Sequence, residues 1–261
     1  MEIYKYSVCG YTCALLPSVK TIIPRETVKA VCSRQSGIGA EMLIVCSLKC
    51  PLITVYASDG GRKKSDVAGA FAAARYYSAA FGSDKIRFAM GDGIISAEVK
   101  GSGEISLTFP TADFSPASVG TIDRRECVSR DTHCGSKCVK VTAMNMCGVR
   151  SVVISDDAYG MILYGIAESL SENQLFSHGT DVDIISSVNS DYVKLLSYER
   201  HAGYVGLSPT GACAAVSALD KLGLRNRADF MTEHGKISVA VSDKIIATAN
   251  VKKVMHGNVF I

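Results

Sequence analysis

Asp66 and Ser208 stand 142 positions apart, and each opens an alanine-rich stretch, DVAGAFAAARYYSAAF (66–81) and SPTGACAAVSALDKLG (208–223). A carboxylate can take a proton from carbon. Aspartate is also a preferred helix cap, and a helix start stabilises its charged form and lowers its basicity. The residues favour the cap for Asp66 and leave the base open. Ser208 is a poor proton acceptor unless a base lies against its hydroxyl. With Pro209 behind it, Ser208 reads first as an N-cap followed by proline at the first helical position. His201, seven residues upstream, is the nearest base in sequence and reads as a solvated turn histidine. Arg200, after Glu199, is the candidate for clamping a carboxylate through two parallel hydrogen bonds, the alternative being a surface Glu–Arg pair. Arg62–Lys63–Lys64 reads as a solvated basic loop.

Sulfur is the other source of chemistry. The chain has ten cysteines, with three pairs at C-x3-C spacing: Cys9–Cys13, Cys46–Cys50 and Cys134–Cys138. Zinc sites show tighter, matched knuckles, so these read as reduced thiols packed as small hydrophobes, with no metal, in a cytoplasmic protein. No apolar run approaches the ~20 residues of a membrane span. MEIYKYSVCG lacks the basic start and apolar stretch of a signal peptide. With 28 basic and 25 acidic residues, neither nucleic acid nor an anionic membrane is the expected partner. A hydrophobic fraction of 48% over 261 residues excludes disorder as the main state and allows one large domain or two modest ones.

The elements that must carry these groups repeat. ITVYAS (53–58) and VKLLSYE (193–199) read as strands, and the two alanine-rich stretches as helices. Further helices are expected from Asp156 to about Leu170 and near Glu26–Arg34. At a shift of 142, Tyr56 meets Tyr198, Gly61 meets Gly203 and Gly69 meets Gly211. Downstream of the helices, Phe88 meets Phe230, Gly93 meets Gly235 and Val99 meets Val241. Agreement on both sides of a helix is the mark of a duplication rather than of shared alanine content. Two homologous halves follow, with a boundary near Pro110–Ser115. Each aims a helix start, with its unpaired N–H groups, at a candidate carboxylate or phosphate. Two such starts facing across a cleft would suit proton removal on one face of a carbon and return on the other.

YERHAGYVGLSPTGACAAV (198–216), SRQSGIGAEMLIV (33–45) and ASDGGRKKSDVAGAFAAARY (57–76) lie in order along most of the chain. Together they resemble the signature segments of the diaminopimelate epimerase family. The resemblance implies an α/β (α+β) fold of two pseudo-symmetric domains, each a strand-rich, barrel-like sheet wrapped round a central helix. Domains at 1–112 and 113–252 are expected, with the strand at 253–261 returning to the first. It further implies a cofactor-independent isomerase, with no cofactor, and a homodimer. In that family two cysteines, one at each central helix start, exchange a proton with the α-carbon of an amino acid. Asp66 and Ser208 hold those positions here. Acidic residues also replace a catalytic cysteine in the related isomerases of phenazine biosynthesis. Four asparagines that grip diaminopimelate are replaced by Tyr11, Ala57, Gly148 and Asp181, while Glu199 and Arg200 are kept. The implied site is therefore Asp66 and Ser208 as catalytic groups, with Glu199, Arg200, Gly69, Thr210, Gly211, Asp181 and Tyr11 binding the substrate. The expected substrate is an amino-acid-like carboxylate other than diaminopimelate. The alternative is a catalytically degenerate paralogue that binds a small ligand or a protein partner.

Overall fold

The computed structural model describes residues 1–20, 22–156, 160 and 165–260 in full, and residues 161–164 as helix backbone. The first part of the chain forms β1 (Glu2–Val8), β2 (Tyr11–Ser18), α1 (Arg25–Cys32), β3 (Met42–Ser47), β4 (Leu52–Ala57), β5 (Arg62–Lys63), α2 (Val67–Phe81), β6 (Lys85–Met90), β7 (Gly93–Val99) and β8 (Glu104–Phe109). Then come α3 (Pro116–Val119), β9 (Arg130–Cys134), β10 (Lys137–Asn145), β11 (Val149–Ile154), α4 (Met161–Ser171), β12 (Asp181–Ser186), β13 (Lys194–Glu199) and β14 (Gly203–Gly206). The chain ends with α5 (Pro209–Lys221), β15 (Arg227–Thr232), β16 (Gly235–Val241) and β17 (Ile245–Asn258). It divides into two compact units. One is Met1–Phe109 with Thr232–Gly235 and Ile246–Ile261, the other Pro110–Met231 with Lys236–Ile245.

In the first unit the strands run β1-β2-β3-β4-β6-β7-β8-β17, and β17 also pairs with β1, which closes the ring. The closing pair is antiparallel, from Glu2↔Asn258 to Val8↔Val251. Closure leaves no free edge along these strands. Inside the ring lies α2, packed against β1, β2, β3, β6, β7 and β8. Its residues from Val67 to Ala74 are all buried, so small side chains are needed all round rather than on one stripe. Gly82 ends the helix in the left-handed conformation at φ 62°. In the GIG segment, a Cβ on Gly37 would collide with the carbonyl oxygen of Ala30. That explains a glycine where the chain folds back on the end of α1.

The second unit holds a six-stranded sheet in the order β14-β13-β12-β11-β10-β9. α5 packs against β10, β11, β12 and β13. The duplication is visible element by element. β2 and β3 pair in parallel across α1, as β11 and β12 do across α4. β4 and β13, β6 and β15, and β7 and β16 have the same lengths and lie 142 positions apart. The expected helix from Asp156 is shorter: its described start is Met161, capped by Gly160 in extended backbone, and residues 157–159 lie outside the described part. α3 has only four residues, Pro116–Val119, too few for a periodic pattern to announce it.

Candidate active site

Asp66 caps α2 in the first unit. Its backbone is extended (φ −162°, ψ 136°) and its Oδ1 accepts from the Gly69 amide, at 3.1 Å. Oδ2 accepts from Lys63 Nζ at 2.9 Å, with side-chain exposures of 1% for Asp66 and 16% for Lys63. The basic loop of the sequence therefore supplies a partly buried partner through Lys63. The Asp66 amide donates to Met90 Sδ. Nearby Cys13 is wholly buried, which pushes its thiol well above the ordinary value, and the charges of Asp66 and Glu41 push it further. That thiol stays protonated. Gly69 lies 3.5 Å from Ile44 and Val55 side-chain atoms at its missing Cβ, and Tyr11 is buried on β2, opposite Val8.

Ser208 caps α5 in the second unit, with Pro209 at the first helical position. Its Oγ accepts from the Gly211 amide at 3.3 Å and donates to Glu199 Oε1 at 2.8 Å. Glu199 is fully buried on β13, where its strand ends beside the helix start. His201 Nε2 lies 3.3 Å from Glu199 Oε2, with the His201 side chain only 12% exposed. The solvated reading of His201 is thus corrected: the turn after β13 folds the ring against the buried carboxylate. Thr210 is buried in the first turn of α5.

Beneath this helix start lies a group that the motifs did not single out. Arg150 on β11 is 1% exposed, and its Nε and Nη2 grip Asp183 Oδ2 and Oδ1 at 2.7 and 3.0 Å. Its Nη1 lies 3.4 Å from Asp181 Oδ2 and 3.7 Å from Glu199 Oε1. Burial opposes the guanidinium charge, but Asp183, with Asp181 and Glu199, outweighs it and raises Arg150 well above its ordinary value. Ser197 Oγ donates to Asp183 Oδ1 at 2.6 Å and accepts from the Ser208 amide at 3.4 Å. A Cβ on Gly211 would collide with Asp183 Oδ1 and lie 2.6 Å from Ser197 Oγ, so glycine lets the helix start sit on this cluster. The signal was present in sequence: Asp181 and Asp183 share one face of an apolar strand, and Arg150 interrupts another.

Asp181, Glu199, Ser208 and Gly211 are brought together. Arg200 joins them through its backbone, whose amide donates to Asp181 Oδ1 at 3.0 Å. Its side chain points elsewhere. Nε and Nη2 pair with Glu172 at 2.9 and 3.3 Å, and Nη1 donates to the His178 carbonyl at 2.6 Å. The fork read as a carboxylate clamp is closed on the protein's own glutamate, the ion-pair alternative. Among the described residues no three or more His, Cys, Asp or Glu side chains are grouped to hold a metal ion, and no described helix is long and apolar enough to cross a membrane.

No protein-family model matches the chain. It is 25% identical over 241 residues to a diaminopimelate epimerase of Synechococcus elongatus, covering 87% of this chain and 85% of that protein. In fold it is similar to a phenazine biosynthesis PhzF-family protein of Enterococcus faecalis, with a TM-score of 0.64, 11% identity and full coverage of both chains. It is also similar to a methylitaconate-delta-isomerase, with a TM-score of 0.57, 9% identity and coverage of 98% and 94%.

Proposed function

We propose that this chain, a distant member of the diaminopimelate epimerase family at about a quarter identity over most of its length, is a cofactor-independent isomerase of an amino-acid-like carboxylate other than diaminopimelate. The observation that carries the reading is the 2.8 Å hydrogen bond from Ser208 Oγ to Glu199 Oε1. A hydroxyl becomes a useful proton acceptor when a carboxylate takes its hydrogen as the hydroxyl oxygen receives another. The α-hydrogen of the substrate would pass to Ser208 Oγ while the serine proton passes to Glu199. The electron pair left on carbon would delocalise into the substrate carboxylate. Asp66 is the second acid–base group, at the matching helix start of the duplicated half. Loss of both thiols from these positions removes the two-cysteine route, and the replaced asparagines argue against diaminopimelate as substrate.

The test is α-hydrogen exchange in deuterated water, followed by proton NMR over a panel of amino acids and related carboxylic acids, with diaminopimelate included. Exchange is expected on a panel member other than diaminopimelate and is lost in Glu199→Gln, Ser208→Ala and Asp66→Asn. No exchange anywhere in the panel, or full exchange by Glu199→Gln, overturns the reading. A binding role without turnover has its own support: Asp66 already has both oxygens engaged, by Gly69 and Lys63, and Pro209 removes an N–H from the start of α5. Under that reading a panel member raises the melting temperature yet shows no exchange.

A further inference from the structure

We propose that Arg150 is the positioning residue of the Ser208–Glu199 pair, an inference that rests on the isomerase reading for its catalytic meaning but not for its geometry. Two routes lead from the one guanidinium to Ser208. Along the first, Arg150 Nη2 holds Asp183 Oδ1, which accepts from Ser197 Oγ, which accepts from the Ser208 amide. Along the second, Arg150 Nη1 faces Glu199 Oε1, the same oxygen that accepts the Ser208 hydroxyl. The backbone and the side chain of Ser208 are therefore both tied to one guanidinium, beside the Gly211 amide on Oγ and His201 on the far oxygen of Glu199.

Orientation follows from charge. Glu199 and Asp183 are fully buried and Asp181 is partly exposed, with side-chain exposures of 0%, 0% and 19%. Without a cation these carboxylates would repel one another in a medium that screens poorly. With Arg150 among them they turn their oxygens inward. Ser208 Oγ donates its hydrogen to Glu199 Oε1, and the serine oxygen keeps its lone pairs for the Gly211 amide and for an incoming proton. The planar fork matters as much as the charge, because two parallel bonds to Asp183 fix the direction in which Nη1 points. A lysine would supply a point charge and no fixed direction.

The experiment compares wild type with Arg150→Lys by amide hydrogen–deuterium exchange and, on whichever substrate the panel yields, by steady-state kinetics. Exchange at the Ser208 and Gly211 amides is expected to quicken roughly tenfold or more, while amides of β12 and of the last two turns of α5 stay near wild type. In kinetics kcat falls roughly tenfold or more with KM within about twofold, as positioning rather than binding is lost. Unchanged exchange at Ser208 and Gly211 in folded Arg150→Lys overturns the proposal. Should that variant fail to fold, Ser197→Ala cuts the first route alone and must still quicken the Ser208 amide; an unchanged amide overturns it equally. If wild type exchanges no substrate hydrogen, the isomerase reading fails while the amide measurement still decides the role of Arg150. An active wild type with equally active Arg150→Lys sinks the inference and leaves the reading standing.

Discussion

At the scale of single residues, the two helix starts place different chemistry at equivalent positions. Ser208 is bonded to a buried carboxylate, and Asp66 is itself a buried carboxylate bonded to a lysine. Asp66 therefore does two separable jobs, capping α2 and pairing with Lys63. Asp66→Asn keeps an acceptor for the Gly69 amide but gives up the charge, at a cost of about 1.5–3 kcal/mol for a charged hydrogen bond. Asp66→Ala gives up the cap as well and is expected to cost about 1 kcal/mol more. Urea unfolding of both variants checks this; equal losses would mean the Gly69 bond carries no stability. The sequence made Asp66, Ser208 and Glu199 legible because each belongs to a local motif. Arg150, Asp183 and Ser197 escaped because only strand pairing joins them, residues 33 and 14 positions apart meeting through β11–β12 and β12–β13. The burial of His201 is hidden from the sequence for the same reason, since exposure of a turn residue depends on what the turn folds against.

At the scale of elements, the repeat was readable almost to the residue. Strand alternation, helix caps and turn glycines are local signals, and the 142-residue register holds at the starts of β4 and β13, α2 and α5, β6 and β15, and β7 and β16. Equivalent positions nonetheless have different neighbours. Gly69 and Gly211 both occupy the first turn of a central helix, and a sequence comparison gives them one meaning. Gly69 has ordinary van der Waals room against Ile44 and Val55, at 3.5 Å. Gly69→Ala should thus be neutral or stabilise by up to about 1 kcal/mol, the helix propensity gained over glycine. Gly211 has no such room, because Asp183 and Ser197 stand where the methyl would go. Gly211→Ala should cost about 1–3 kcal/mol, as overpacking does when the neighbours are held by hydrogen bonds. Melting temperatures of the two variants, measured side by side, should move apart. A Gly211→Ala protein as stable as Gly69→Ala would mean the buried cluster can shift freely, which its bidentate Arg150–Asp183 pair argues against.

At the scale of the whole molecule, seven of the ten cysteines are packing groups. Cys9, Cys13, Cys32, Cys46, Cys127, Cys134 and Cys213 are buried, while Cys50 and Cys138 are exposed. Burial pushes the thiols of Cys9 and Cys127 up to about 11 and that of Cys32 up to about 12, from an ordinary 9.0. Cys13 and Cys46 are pushed up for the same reason. The folded protein thus keeps protons that the unfolded chain releases once the pH passes about 9, the ordinary thiol value here. Where the unfolded state binds fewer protons, unfolding becomes easier as pH rises. This stabilisation is fully present below pH 9 and is lost progressively as pH climbs through about 11 to 12. Buried Tyr6 and Tyr77, likewise pushed up from 10.0 by burial, add to the loss in the same direction. The expected curve of melting temperature against pH therefore has no thiol-linked slope at neutrality and falls steeply above 9. Thiol reagents at neutral pH should label Cys50 and Cys138 promptly and the buried set only with unfolding. Replacing Cys9, Cys32 and Cys127 together with alanine should flatten part of the alkaline fall, apart from the stability lost to the smaller side chains at every pH. A melting temperature that does not change between pH 9 and 11 would show that these thiols ionise in the folded state as easily as in water, which the burial of Cys9, Cys32 and Cys127 argues against.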